Sequence, residues 1–331
     1  MSVFKRCSVV MLALAALQGT AHAVPFTDVL EVPAMPSALA SSSALRDVTL
    51  AGPRLVAVGP RGHILYSDDH GAHWQQAQVP VSADLNAVSF ATPELGWAVG
   101  HDGVVLHSRD GGVHWHKQLD GRALAEQLPA AATDNALLDV WFSDTRNGYA
   151  VGVFNLLLRT TDGGEHWQPW LDHSDNPQGL HLTSLATVSD DLYITGEQGL
   201  LLKWSGARFS RVDTPYAGTL FGAVGKPGVL LVYGLRGHAY RSTDGGQQWQ
   251  PVNTGINTSL TAAGIDRDGQ LWLASQAGDL LLSRDDGASF SQVPQSARGP
   301  VTALVSDTGN GLVLVGERGV RNQAGNPTQH P

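Results

Sequence analysis

Cysteine is almost absent: Cys7 is the single one in 331 residues. It stands before an apolar run instead of just after it, so it reads neither as a lipid attachment site nor as a disulfide partner. Long apolar runs are missing too, because the stretch from Val9 to Leu17 falls short of the ~20 residues a membrane-spanning helix needs. No segment beyond it keeps a helical period. No phosphate loop, nucleophile elbow or dinucleotide fingerprint occurs, and no cofactor signature is present, so none is expected. Basic residues are in deficit, 21 against 30 acidic ones, which argues against nucleic acid as a partner.

The start of the chain, "MSVFKRCSVVMLALAALQGTAHA", has Lys5 and Arg6 ahead of the apolar run and Ala21 and Ala23 around His22. That is the layout of a secretory signal cleaved near Ala23, so residues 1–23 are expected to be removed and the remainder to be exported to the periplasm. Without Lys5 and Arg6 the basic count is 19 and the formal charge −11. A cysteine-free exported chain of this length must hold together by packing.

The remaining sequence is repetitive. The offsets of "SRDGGVHW" return in "SDDHGAHW", "TTDGGEHW", "STDGGQQW" and, more weakly, "SRDDGASF". Seven units start near Leu45, Leu85, Leu138, Leu182, Leu220, Leu260 and Val301, at spacings of 40, 53, 44, 38, 40 and 41 residues. Each holds short alternating or apolar runs such as "LNAVSF", "GWAVG" and "GVVLHS", punctuated by Gly and Asp, which indicates strands. Four short strands per unit of about 40 residues predict an all-β, seven-bladed β-propeller. Residues 24–331 then form one domain, with blades near 45–84, 85–137, 138–181, 182–219, 220–259, 260–300 and 301–323. The seventh unit stops without a fourth strand, and "FTDVLEVPAMPS" (Phe26–Ser37) resembles the fourth strand "WQQAQVPVS". The N-terminal strand, residues 26–37, is therefore expected to complete the last blade.

The repeated motif falls on the turn between the third and fourth strands. An Asp there accepts backbone N–H bonds, a Gly tolerates positive φ, a Ser or Thr adds a hydroxyl bond and an aromatic ring is buried beneath. This is the Asp-box. Its copies use Ser67, Asp69, Gly71 and Trp74; Ser108, Asp110, Gly112 and Trp115; and Thr160, Asp162, Gly164 and Trp167. Two more use Ser242, Asp244, Gly246 and Trp249, and Ser283, Asp285, Gly287 and Phe290. The fourth unit lacks it, reading "KWSGARF" (Lys203–Phe209). A structural role is expected for these residues.

Units such as "VGHDGVVLHSRDGGVHW" resemble the photosystem II assembly and stability factor propellers of cyanobacteria and chloroplasts and their exported relatives in non-photosynthetic bacteria. The resemblance covers about residues 26–320. It implies a seven-bladed propeller that assists assembly of a membrane complex, photosynthetic or not, without catalysis. The expected partner is a membrane protein, and the chain itself is expected to be a monomer.

Function is expected on the face opposite the Asp-boxes, where the turns between second and third strands lie. Arg61 of blade 1, Arg236 of blade 5 and Arg318 of blade 7 occupy one position there, in one sector interrupted only by the neutral turn of blade 6, while Asp102 and Glu197 come from blades 2 and 4. An arginine fork donates two parallel bonds to a carboxylate. The alternative is that these arginines pair with Glu317 or nearby aspartates. The insertions Asp120–Ala136 and Asp172–His181 should decorate the same face. A second class of function, a glycan-binding or glycan-cleaving propeller, is weakened by the missing arginine-isoleucine-proline segment of sialidases and by the ordinary setting of Tyr193 and Glu197. His73, His114, His116 and His166 fall in Asp-box turns of separate blades, so no metal site is expected.

Overall fold

Every sheet of the chain is antiparallel and pairs its strands in sequence order. The computed structural model describes residues 27–128, 135–295, 297–307, 309 and 311–324. Six sheets have four strands and the last has three. Blade 2 is typical, with strands Leu85–Phe90, Gly96–Gly100, Val105–Ser108 and His116–Leu119. The first strands touch their neighbours in order around a ring, and that of blade 7, Ala303–Ser306, touches that of blade 1, Asp47–Ala51. The result is a seven-bladed β-propeller.

The core lies between blades rather than at one centre. One apolar cluster fills each interface; Trp97, Val99 and Val105 of blade 2, for example, pack with Leu137, Val140 and Phe142 of blade 3. Burying each such side chain contributes about 1.5–3 kcal/mol, so every junction between blades contributes to stability.

Near the axis, polar side chains of the first strands staple neighbouring blades. Asp47 accepts the Val88 N–H at 2.9 Å and Asp139 accepts that of Leu185 at 2.7 Å. Asn86 donates to the Leu137 carbonyl, Thr183 to Leu220, Thr261 to Val301 and Thr302 to Leu45. Within blade 5 a glycine makes room for a buried phenol: the Tyr233 hydroxyl would lie 2.3 Å from a Cβ on its cross-strand partner Gly222. Burial, followed by the negative charge of Asp139, pushes the Asp47 carboxyl up to about 7. Burial also pushes Asp139 up to about 6.

The glycine that ends the second strand is required by close approach. A Cβ on Gly100 would lie 2.0 Å from the Asp84 carbonyl, and one on Gly316 would lie 1.9 Å from that of Pro300.

The N-terminal segment departs from the expectation. Phe26 lies outside the described residues, and among the described residues the sheet of blade 7 consists of Ala303–Ser306, Gly311–Gly316 and Gly319–Ala324. Residues 29–37 run instead along the outer edge of blade 1. The Ala34 N–H donates to Val79, the Ser82 N–H to Val29, and the Gln76 side chain bonds Ser37 and Met35. The cause is local chemistry: Leu30 is buried in the cluster between blades 1 and 2. Arg122 pairs with Asp28 and Glu31, and Lys117 donates to the Leu30 carbonyl. Blades 7 and 1 meet through the following residues, where Leu45 N–H donates to Gly316 and Ser41 packs over Gly319.

Candidate partner-binding face

Each Asp-box spends its polar atoms internally. The Ser108 hydroxyl donates to Asp110 at 2.9 Å and accepts the Gly112 N–H at 2.9 Å. Asp110 accepts the N–H groups of Val113 and His114, and the Trp115 indole donates to the Gly112 carbonyl. The same glycine N–H to hydroxyl bond recurs from Gly71 to Ser67, Gly164 to Thr160, Gly246 to Ser242 and Gly287 to Ser283. Bonding to the His166 N–H, more than any other contact, holds the Asp162 carboxyl down at about 2. The Ser289 hydroxyl leads in doing the same for Asp285. His73, His114 and His166 each turn Nδ1 toward the carboxylate of their own box, 2.6–2.8 Å away. Among the described residues no three metal-ligating side chains converge.

The opposite face carries the turns between second and third strands. Arg61, Asp102, Phe154, Gln198 and Arg236 hold the same place in five of these turns, with φ between 50° and 59°. A left-handed non-glycine residue costs roughly 1–2 kcal/mol, and strain of this kind concentrates at binding sites. The turn around Arg61 is held because its N–H donates to Asp84 at 2.8 Å. Arg61, Arg236 and Arg318 are all exposed, and the ion pairs of the described residues include none of them.

The basic sector extends further than the turn alignment indicates. Arg298, in the connection from blade 6 to blade 7, stands 3.4 Å from Asp279, and the Arg318 guanidinium approaches the Arg298 carbonyl at 3.5 Å. Arg321 donates to the carbonyls of Ala297 and Gly299. Burial, then the charge of Arg318, lowers the Arg321 pKa. These two residues lie outside the aligned turn position, so the repeat did not single them out. The other sector carries Asp102, Phe154, which is 58% exposed, and Glu197, which accepts the His181 N–H.

The two insertions sit in that second sector. Asp120 caps a short helix, Gly121–Ala125, whose Leu124 is fully buried, and Gly121 packs on Gly103 in the turn of blade 2. Residues 129–134 of this insertion lie outside the described residues, as do Cys7 and the signal-like segment. The second insertion is tied down by Asn155, which accepts hydrogen bonds from Ser174 and Asn176. Among the described residues no hydrogen bond or ion pair joins either insertion to Arg61, Arg236 or Arg318. Among the described residues no helix is long and apolar enough to cross a membrane.

The family described as photosynthesis system II assembly factor YCF48 matches residues 37–132 and 125–256. The photosystem II assembly lipoprotein Ycf48 of Synechococcus sp. (strain CC9902) is 27% identical over 164 residues, 48% of this chain and 49% of that protein. The chloroplastic photosystem II stability/assembly factor HCF136 of Arabidopsis thaliana is 28% identical over 181 residues, 46% of this chain and 44% of its own length. The chain thus spans about half the length of these relatives. Two solved structures share the fold: one described as YCF48 bound to D1 peptide, at TM-score 0.70 and 18% identity over 91% of this chain and 99% of that one, and YCF48 from Cyanidioschyzon merolae, at TM-score 0.67 and 16% identity over 88% and 97%. With the blade repeat, the ring and a family match over more than half its length, the chain belongs to the YCF48 family of photosystem II assembly factors.

Proposed function

We propose that this protein is an exported, non-enzymatic scaffold that holds a membrane-protein client through its arginine-bearing face during assembly of a membrane complex. The observation that carries the reading is the sector formed by Arg236, Arg318 and Arg61, exposed and, among the described residues, in no ion pair, on an otherwise acidic protein. Unpaired guanidinium forks suit a client segment bearing carboxylates. The strained turn tips present such forks at fixed positions, so little ordering remains to be done on binding. A relative has been solved with a peptide of D1, and a peptide segment of a membrane protein is the kind of client this face would take. The Asp-boxes, on the opposite face, hold turns together and play no part in binding.

The test is affinity purification of the tagged protein from its native envelope beside a variant carrying Arg61→Glu, Arg236→Glu and Arg318→Glu. A membrane protein recovered only with the unmodified form supports the reading. Equal recovery by both forms removes the arginine face from it.

A further inference from the structure

On the Asp-box face, each box docks on the blade before it. Arg54 of blade 1 donates to the Gly111 carbonyl, Trp97 of blade 2 to Gly163 and Arg241 of blade 5 to Asp286. The Trp249 indole of blade 5 donates to Asp213, which follows the outer strand of blade 4, and Asn322 of blade 7 donates to His70 of blade 1. Blade 4 has no box. Residues 205–208 make a tight turn there, closed by the Ser205 N–H on the Arg208 carbonyl. Blade 2 uses the longer loop 109–115 at the same place.

What the missing box would have covered is a cavity of about 340 Å3 between blades 3 and 4. Its walls include Trp141, Tyr149 and Trp204, and its polar groups include Arg159 and Asp190. Tyr149 holds the place of Trp97 in its own blade, since Tyr149 pairs with Trp141 and Arg159 as Trp97 pairs with Ser89 and His107. The Arg159 guanidinium is steadied 4.8 Å over the Trp170 ring. Neither Arg159 nor Asp190 forms an ion pair, with the other or with any described residue.

We propose that this cavity is a binding site for a neutral saccharide. Its volume lies in the range of small-ligand pockets, and its flat aromatic walls suit the carbon face of a sugar ring. Arginine can only donate and an ionised aspartate can only accept. A ring of hydroxyls, each both donor and acceptor, serves the two at once. An anion would meet Asp190 and a cation would meet Arg159, while a wholly apolar ligand would offer no hydrogen bond to the Arg159 donors or the Asp190 acceptors. The site is on the face opposite the arginines, so both faces can be occupied together.

The experiment is isothermal titration and intrinsic tryptophan fluorescence with N-acetylglucosamine, maltose, cellobiose and chitobiose, with free amino acids and a proline-rich peptide as competing chemistries. At least one saccharide is expected to bind and change the emission. Asp190→Ala, at an exposed turn, and Trp204→Ala should each weaken it by about tenfold or more. The triple arginine variant should bind it unchanged. No saccharide binding up to about 10 mM, binding unaffected by both cavity variants, or binding of amino acids or the peptide in place of sugars would overturn the proposal. Because Asp190→Ala removes no packing, a folding failure of Trp204→Ala leaves the test intact.

Discussion

The Trp97 indole N–H donates to the carbonyl of Gly163, 3.1 Å away and across the junction between blades 2 and 3. The bond is buried, and the ring also stacks on Phe142 with centroids 3.5 Å apart. Trp97→Phe would leave the Gly163 carbonyl with the Gln118 amide as its remaining donor and open a void beside Phe142, at a cost of about 1–3 kcal/mol, most of it from lost packing. Tyr149→Phe, at the matching place with no box above it, should cost less than half as much. Chemical unfolding of the two variants, read as a shift in midpoint at unchanged slope, compares them directly.

Ser108→Ala tests the box itself. The Gly112 N–H is buried and bonded to the Ser108 hydroxyl, so the variant leaves a buried donor unpaired at a cost of roughly 1–3 kcal/mol. Ser205→Ala, in the turn of blade 4 that has no box, should stay within about 0.5 kcal/mol. Equal losses in the two thermal melts would contradict a holding role for the box.

Stability should depend on pH with an unusual sign near neutrality. Asp47 and Asp139 keep their protons up to about 7 and 6 in the folded state, whereas an unfolded aspartate releases its proton near 3.9. The folded chain thus binds more protons between about pH 4 and pH 7, and stability falls as pH rises through that window. Below it the sign reverses. Box carboxylates such as Asp162 and Asp285 are held down at about 2, so their contribution is present above about pH 4 and is lost as pH falls toward 2. Melting temperature should peak in mildly acidic buffer. Asp47→Asn keeps an acceptor for the Val88 N–H and removes the buried charge, so it should raise stability at pH 8 by roughly 1–3 kcal/mol and flatten the slope above pH 5.

Client binding should respond to salt. If the exposed arginines of blades 5, 7 and 1 steer an acidic segment, Arg61→Glu, Arg236→Glu and Arg318→Glu should each slow association severalfold, and raising ionic strength should shrink the difference. Surface plasmon resonance with a captured client peptide measures both effects. A salt-independent association rate would contradict electrostatic steering.

How far the site could be read in the sequence follows from the repeat. Aligning seven units put Arg61, Arg236 and Arg318 in one register, and antiparallel pairing fixed which face that register occupies. Arg298 and Arg321 escaped because they lie in a connection and in a third strand, where no repeat position marks them. The N-terminal segment was misplaced for a related reason. Its likeness to an outer strand rested on Phe26 and on spacing, whereas its position is set by Leu30 burial and by Arg122 pairing with Asp28 and Glu31, contacts with residues about 90 positions away.

The sequence by itself determined the blades, their number and the Asp-box turns, because strand alternation, Gly at close approaches and hydroxyl-carboxylate turns are local interactions within about 40 residues. Only the tertiary structure decided where residues 29–37 rest and what the missing box of blade 4 uncovers. The sequence marks the absence at Lys203–Phe209, but the aromatic walls and the Arg159 guanidinium that line the cavity belong mostly to blade 3. Side chains from separate repeats meet there only once the ring has packed.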